Sequence, residues 1–163
     1  MSAPHQLRVG ILVGQVSHPQ AVIDDLWHRA TGAAPAGWQV QVEVVHVGTR
    51  PDSAQPAGGV QGIVQLQPPT PFRGSARLSA LAGGQGPAGV VGRLVRDNLE
   101  SRRVAVTLAR RKDLVASLRG SAVVVAADPS ADRAVWQLRK LTGAHLVHGP
   151  AAMVHAIKVL SDS

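Results

Sequence analysis

The sequence predicts an α/β fold: a three-layer, Rossmann-like parallel sheet with helices on both faces. Two observations support this. Apolar runs of strand length alternate with segments of helical periodicity along the whole chain. The apolar run Ala122–Ala127 also stops at an Asp-Pro-Ser turn, and a helical pattern follows at once. Strands that alternate with helices at this spacing are typical of βαβ units, in which the strands lie parallel.

The first predicted unit begins with a buried strand, Leu7–Gly14, which is aliphatic and β-branched. A turn follows, with Ser17 as the expected cap of a helix over about Pro19–Ala30. The segment from Trp38 to Val44 then alternates strictly between apolar and polar residues, which predicts a half-buried strand. We expect the end of this strand, near Val45, to be bulged or more deeply buried.

The middle of the chain is less regular. A loop is predicted over residues 50–59, and a shorter strand around Val60–Gln67. The Gly- and Pro-rich region near 68–89 predicts a mobile loop or a short interrupted helix. From about Ala88 to Arg119 the pattern is helical, although Val104–Ala109 fits a short strand equally well.

The last third predicts two more strand–helix units within what we interpret as a single domain over residues 1–163. A buried strand at Val123–Val125 precedes a helix that ends near Gly143. A final strand, Ala144–His148, leads into a helix over Ala151–Leu160.

Composition narrows the class of protein. The 163 residues carry a net charge of +7 and include no cysteine, which excludes disulfides and thiolate chemistry. The longest apolar run is far shorter than the roughly 20 residues that cross a bilayer. We therefore expect a cytoplasmic protein, with membrane association left open. The basic excess favours partners with fixed negative charge, and a compositional bias toward arginine is the alternative explanation.

Much of the positive charge lies between residues 93 and 119. Arg96, Arg103 and Arg110 are seven residues apart, so on a continuous helix they would form one stripe. We interpret this region as a candidate surface for an anionic membrane, with nucleic acid as the less favoured partner. A solvated helix face with intrahelical ion pairs is the alternative. The candidate residues are Arg93, Arg96, Arg103, Arg110 and Arg111.

Three loops are candidates for ligand binding because they follow predicted parallel strands. In such sheets ligands bind outside the carboxyl ends of the strands, where the strand order reverses. Asp128 is suited to accept hydrogen bonds from sugar hydroxyls; alternatively, Asp128 and Ser130 satisfy the first amides of the next helix. The candidate ligand-binding residues are Gly14, Gln15, Ser17, His18, Asp128, Ser130, His148 and Gly149.

No catalytic motif is complete. The glycine fingerprints of dinucleotide and P-loop sites are missing, so no cofactor is predicted. No metal site is predicted either, because His145 and His148 lie three apart on one strand and point to opposite faces. A small complete enzyme that uses His18, Asp128 and His148 stays an alternative.

The segment ADPSADRAVWQLRKLTGAHLVHGP resembles the N-terminal Rossmann-like domain of GT-B glycosyltransferases of the family-4-like type. In that domain a strand ends at an Asp-containing loop, and a Gly-Ala-x-Leu-Val segment later precedes a His. Asp128, Gly143–Val147 and His148 hold these places, and LRVGILVG followed by a helix and GWQVQVEVV has the same order.

The resemblance implies an acceptor-side domain that binds a sugar-bearing or phosphate-bearing ligand at the strand ends. The family's donor-binding half has no counterpart in this sequence, so a partner subunit or a homo-oligomer is expected and independent catalysis is left open. In members with lipid acceptors, this half supplies a basic and apolar membrane-facing surface, a role that suits the segment from Arg93 to Arg119.

Overall fold

The computed structural model describes residues 5–48, 60–67 and 73–162. Within these ranges, five strands form one sheet in the order β3-β2-β1-β4-β5, and every neighbouring pair is parallel. The parallel sheet predicted from the strand–helix alternation is therefore confirmed. The strands are β1 (His5–Val13), β2 (Trp38–Val47), β3 (Val60–Leu66), β4 (Val123–Ala126) and β5 (His145–His148).

Helices cover both faces of this sheet, which gives the three layers. The helices of the described residues are α1 (Pro19–Ala33), α2 (Ser75–Ala82), α3 (Pro87–Arg110), α4 (Lys112–Arg119), α5 (Pro129–Trp136), which continues as a 3-10 turn over Gln137–Lys140, and α6 (Gly149–Ser161). Helices α1 and α6 pack on one face, and α3, α4 and α5 supply the core of the other. Helix α2 packs chiefly against α3. None of these helices is long and apolar enough to span a bilayer.

The two faces have separate cores because successive side chains of a strand point to opposite sides. Ile11 packs toward α1 and α6, whereas its neighbour Leu12 packs toward α3, α4 and α5. Both are fully buried, as are Val124 and Val125 of β4. A buried aliphatic side chain of this size stabilises the fold by roughly 1.5–3 kcal/mol. The continuous apolar runs of β1 and β4 therefore follow from their central place in the sheet.

The helix predicted from Ala88 onward differs in detail from the expectation. Helix α3 is continuous from Pro87 to Arg110, so the alternative of a strand at Val104–Ala109 is wrong. The physical reason is that Val104, Ala105 and Leu108 recur at helical spacing and bury together against the sheet. The chain leaves the helix at Arg111, and α4 begins directly after it.

The Gly-rich segment contains helices where the sequence suggested a loop or an interrupted helix. Residues 68–72 of it lie outside the described residues, but α2 and the start of α3 occupy much of the rest. The glycines serve close helix packing: a Cβ on Gly89 would overlap the backbone oxygen of Gly84, and one on Gly92 would lie 2.9 Å from Ala82 N. Of the two predicted alternatives, the interrupted helix agrees with the structure.

Other expectations need smaller adjustments. The end of β2 is deeply buried, as expected, with Val45 and Val47 almost inaccessible. The register shift lies earlier, between Val42 and Glu43 in the pairing with β3. The predicted loop at 50–59 lies outside the described residues. Helix α1 begins at Pro19, as predicted, but the residue before it, His18, holds the N-cap position, so Ser17 is not the helix cap.

Candidate functional site

The loops after β1 and β4 meet at the point where the strand order reverses. The Gly14 N–H donates to Asp128 Oδ2 at 2.6 Å, and the Ser130 N–H donates to Asp128 Oδ1 at 2.9 Å. The Ser130 hydroxyl also donates to Oδ1, and it accepts a hydrogen bond from the Gln15 N–H at 3.0 Å. We call these four residues the Asp128 network. Asp128 and Ser130 are only 8% and 9% exposed.

The Asp128 network brings together four of the predicted ligand residues, and these four residues are hydrogen-bonded to one another. Asp128 is the N-cap of α5, and its carboxylate also takes the amide of the β1 loop. In Rossmann-like domains the amides at this crevice commonly face a ligand phosphate. The geometry therefore supports the alternative in which Asp128 and Ser130 serve to satisfy backbone amides. Open space lies on either side of the network.

The larger space, which we call the β5 cleft, lies between α3, α5 and β5 and has a volume of about 550 Å³. Its main polar feature is a hydrogen bond of 2.5 Å between His148 Nδ1 and Asp132 Oδ1. Both side chains are about half exposed. The residues lining the cleft are Asn98, Ser101, Ala126, Asp132, Arg133, Val135, Trp136, Leu146, Val147 and His148.

The fold brings Asp132 and His148 together from two different elements. His148 ends β5 beside Ala126 of β4, and Asp132 lies in the first turn of α5, which begins just after β4. Trp136, one turn later on α5, is 58% exposed, and the Arg139 guanidinium stacks on its ring at 3.3 Å. The cleft therefore combines an aromatic surface with a carboxylate and an imidazole.

A second space, the β2 cleft, lies on the other side of the network and has a volume of about 480 Å³. It contains His46, which the sequence analysis did not select. This side chain is only 3% exposed, and among the described residues its Nδ1 has no hydrogen-bond partner. Burial lowers the pKa of His46, against an opposing effect of the Asp128 charge. The cleft is lined by Gln15, Val16, Ser17, Pro19, His46, Val47 and Gly48.

The remaining ligand candidates lie around the same edge of the sheet. His18 lines a smaller space of about 240 Å³ together with Ala127 and Pro150. Gly149 has φ +75° at the start of α6, a conformation that favours glycine at the turn out of β5. Ser17 is exposed at the rim of the β2 cleft.

His18, Asp128 and His148 do not form a hydrogen-bonded triad in the described part of the chain. Asp128 bonds within its network, and His148 pairs with Asp132 instead. Sequence reasoning did not identify Asp132 as the partner of His148. His46 had a visible signal, since it is a polar residue in the otherwise apolar stretch Val44–Val47.

The candidate arginines lie on or beside α3, and most have hydrogen-bond partners. Arg93 donates to the Ala82 carbonyl at 3.1 Å, and Arg96 bonds to the Asp97 carboxylate at 3.2 Å. Beyond the helix end, a hydrogen bond from Arg111 lowers the pKa of Asp113 to about 2. The continuity of α3 also places Arg96, Arg103 and Arg110 on one helix, as the stripe requires.

The hairpin of α2 and α3 exposes large apolar side chains close to these arginines. We call Leu81, Val90, Val91, Leu94 and Val95 the α2–α3 apolar patch, and each of them is between 42% and 66% exposed. Single exposed apolar side chains are common in proteins, whereas these five lie on one helical hairpin.

Comparison with known protein families and with curated proteins gives no match for this chain.

Proposed function

We propose that this protein is a ligand-binding domain similar to the acceptor-side half of a GT-B glycosyltransferase. In this proposal a sugar-bearing or phosphate-bearing ligand binds at the carboxyl ends of the strands, with its sugar in the β5 cleft. The observation that carries the proposal is the Asp132–His148 pair at the rim of that cleft. A partner subunit or a second copy would supply what a complete transfer reaction needs.

The side chains of the β5 cleft suit a sugar. The Asp132 carboxylate accepts hydrogen bonds from hydroxyl groups, and its bond to Nδ1 orients the His148 ring. The Arg139 guanidinium stacks on the Trp136 ring, and the part of the ring that stays exposed would pack against the apolar face of a pyranose. Asn98 adds an amide that both donates and accepts. A mostly apolar cleft with a few oriented polar groups is the usual form of a small-molecule site.

The likeness to GT-B domains supports the interpretation of the cleft as an acceptor site. It covers the segment from Ala127 to Pro150, which includes α5, β5 and both members of the Asp132–His148 pair. The parallel order of the sheet agrees with a Rossmann-like half-domain.

Replacement of His148 by alanine is expected to weaken ligand binding about tenfold, because one oriented hydrogen bond in the cleft is lost. Binding of nucleotide sugars, polyprenyl phosphates and short oligosaccharides is measured by calorimetry after a thermal-shift screen. The matched control is His145→Ala, since His145 is also exposed and lies at the other end of β5. Equal loss in both variants, or no binding by any of these ligands, would argue against the β5 cleft.

The second candidate function is docking to an anionic membrane surface. It is favoured by the α2–α3 apolar patch, which lies on the same hairpin as Arg93 and Arg96. Apolar side chains that insert at an interface and cations that meet anionic headgroups reinforce each other. The ion pairs of Arg96 and Arg111 with neighbouring aspartates are the observations that favour a solvated face instead.

A triple variant, Arg96→Gln, Arg103→Gln and Arg110→Gln, tests this second function. At about 1 kcal/mol for each cation near anionic lipid, binding to phosphatidylglycerol vesicles should fall roughly a hundredfold in a sedimentation assay. The control removes the same charge elsewhere, with Arg8→Gln, Arg29→Gln and Lys158→Gln. Binding that is insensitive to salt, or equal loss in the control, would contradict membrane docking; salt-dependent binding to duplex DNA alone would favour nucleic acid.

A further inference from the structure

We propose that the ligand of the β5 cleft is an amphiphile, an aliphatic phosphate ester whose phosphate binds Arg133 and whose carbon chain lies on Val91 and Leu94 of α3. The inference rests on the proposed ligand binding at the β5 cleft. It adds the chemical class of the ligand and the direction in which its apolar part runs. Two independent observations support it: the continuity of one helix face with the cleft, and a cation in the cleft wall.

The first observation is that one side of α3 runs from the β5 cleft into a row of exposed aliphatic side chains. Asn98 and Ser101 line the cleft. Leu94 lies four residues before Asn98 and Val91 lies seven before it, so these side chains share one side of the continuous helix. Val91 and Leu94 are 58% and 66% exposed. We call Val91, Leu94 and Val95 the α3 track.

The track is exposed because the first half of α3 packs on α2 and not on the sheet. The buried residues of this half are Gly89 and Gly92, and a Cβ on Gly92 would lie 2.9 Å from Ala82 N of α2. Val104 and Leu108, which pack toward the sheet, belong to the second half of the helix. An apolar surface that continues a small-molecule cleft is suited to the apolar part of the same ligand.

The track has the length and the chemistry that a short alkyl chain requires. From Val91 to Asn98 the helix rises roughly 10 Å, comparable to an extended octyl chain. Beyond Asn98 the cleft wall stays largely apolar, with Val135 and Leu146 among its lining residues. A saturated chain would therefore bury apolar surface without interruption from the cleft to Val91, which favours binding in proportion to the buried area.

The second observation is the Arg133 guanidinium, which supplies a cation where the track meets the cleft. Arg133 lines the cleft, and its backbone N–H donates to Ser101 Oγ at 3.3 Å, which fixes it beside α3. The side chain is exposed, and within the described ranges it forms no salt bridge. A guanidinium of this kind binds a phosphate through two parallel hydrogen bonds. The neighbouring Asp132 carboxylate is already bonded to His148 Nδ1.

A comparison of monooctyl phosphate with methyl phosphate tests the track. Both are titrated into the protein, the octyl ester below its micelle concentration, and binding is followed by amide chemical shifts and calorimetry. We expect the octyl ester to bind at least about thirtyfold more tightly, because its methylene groups are buried on the α3 track. It should shift the amides of Val91 and Leu94, whereas methyl phosphate should shift only those near Asn98 and Arg133.

Two variants at exposed positions assign the binding to the track and to the cation. Leu94→Ser should weaken octyl phosphate binding about tenfold and leave methyl phosphate binding unchanged. Its control is Leu141→Ser, because Leu141 is 47% exposed and lies outside the cleft lining. Arg133→Gln should weaken the binding of both esters about tenfold. Its control is Arg29→Gln, on α1 at the other face of the sheet.

Equal affinity for the two esters would overturn the proposal, as would a gain from the octyl chain that survives Leu94→Ser or falls equally in Leu141→Ser. Equal weakening by Arg29→Gln would reduce the phosphate effect to net charge and would also overturn it. Binding to phosphatidylglycerol vesicles without binding of monomeric octyl phosphate would assign the track to membrane docking instead.

The failure of this inference can be told apart from failure of the proposed function. Sugar or methyl phosphate binding that depends on His148, with no gain from the octyl chain, would leave the β5 cleft standing and remove the α3 track alone. Absence of binding by every sugar and every phosphate ester would remove both.

Discussion

Replacement of Asp128 by alanine is expected to lower the free energy of unfolding by about 3–5 kcal/mol. The carboxylate is 8% exposed and accepts hydrogen bonds from the amides of Gly14 and Ser130 and from the Ser130 hydroxyl. Its removal leaves buried donors without partners and takes away the N-cap of α5. Urea unfolding followed by circular dichroism measures the change.

The control for this experiment is Asp97→Ala. Asp97 is also a hydrogen-bonded aspartate, but its ion pair with Arg96 is exposed, so we expect a loss of no more than about 0.5–1 kcal/mol. If Asp128→Ala were as mild as Asp97→Ala, the Asp128 network would not hold the two loops together.

Replacement of Gly14 by alanine is expected to destabilise the protein by about 1–3 kcal/mol, because the new methyl group has no room. A Cβ at this position would overlap Ser130 Oγ and would lie 2.8 Å from Asp128 Oδ1. The neighbouring loop must move, which stretches the bond from the Gly14 amide. Thermal and urea unfolding measure the effect.

Gly32→Ala is the matched control and should change stability in the opposite direction. Gly32 lies in α1, and a Cβ added there would have no neighbouring atom within 4 Å, so alanine should add about 0.5–1 kcal/mol through its higher helix propensity. Combination of Gly14→Ala with Ser130→Ala should cost less than the sum of the single changes, since the overlapping oxygen is gone. Strict additivity would show that the two residues do not interact.

The Asp128 network divides the candidate site into two parts. It closes the crevice where the strand order reverses, and it separates the β2 cleft from the β5 cleft.

The strand positions could be predicted because they depend on local pattern. The alternation from Trp38 to Val44 and the aliphatic run of β1 identify strands directly, and both are strands in the structure. The stretch Val104–Ala109 could not be assigned in this way, because its apolar residues fit either period. The segment is helical because a helix buries Val104 and Leu108 together against the sheet.

The sequence by itself determined the parallel α/β fold and the edge of the sheet where its polar loops gather, because periodicity and turn residues act over short distances. Only the tertiary structure decided the partners at that edge. Asp128 bonds to Gly14, which lies 114 residues away along the chain, and His148 pairs with Asp132. His46 is buried near the end of β2. Side-chain pairing across strands depends on sheet order and register, which no local pattern contains.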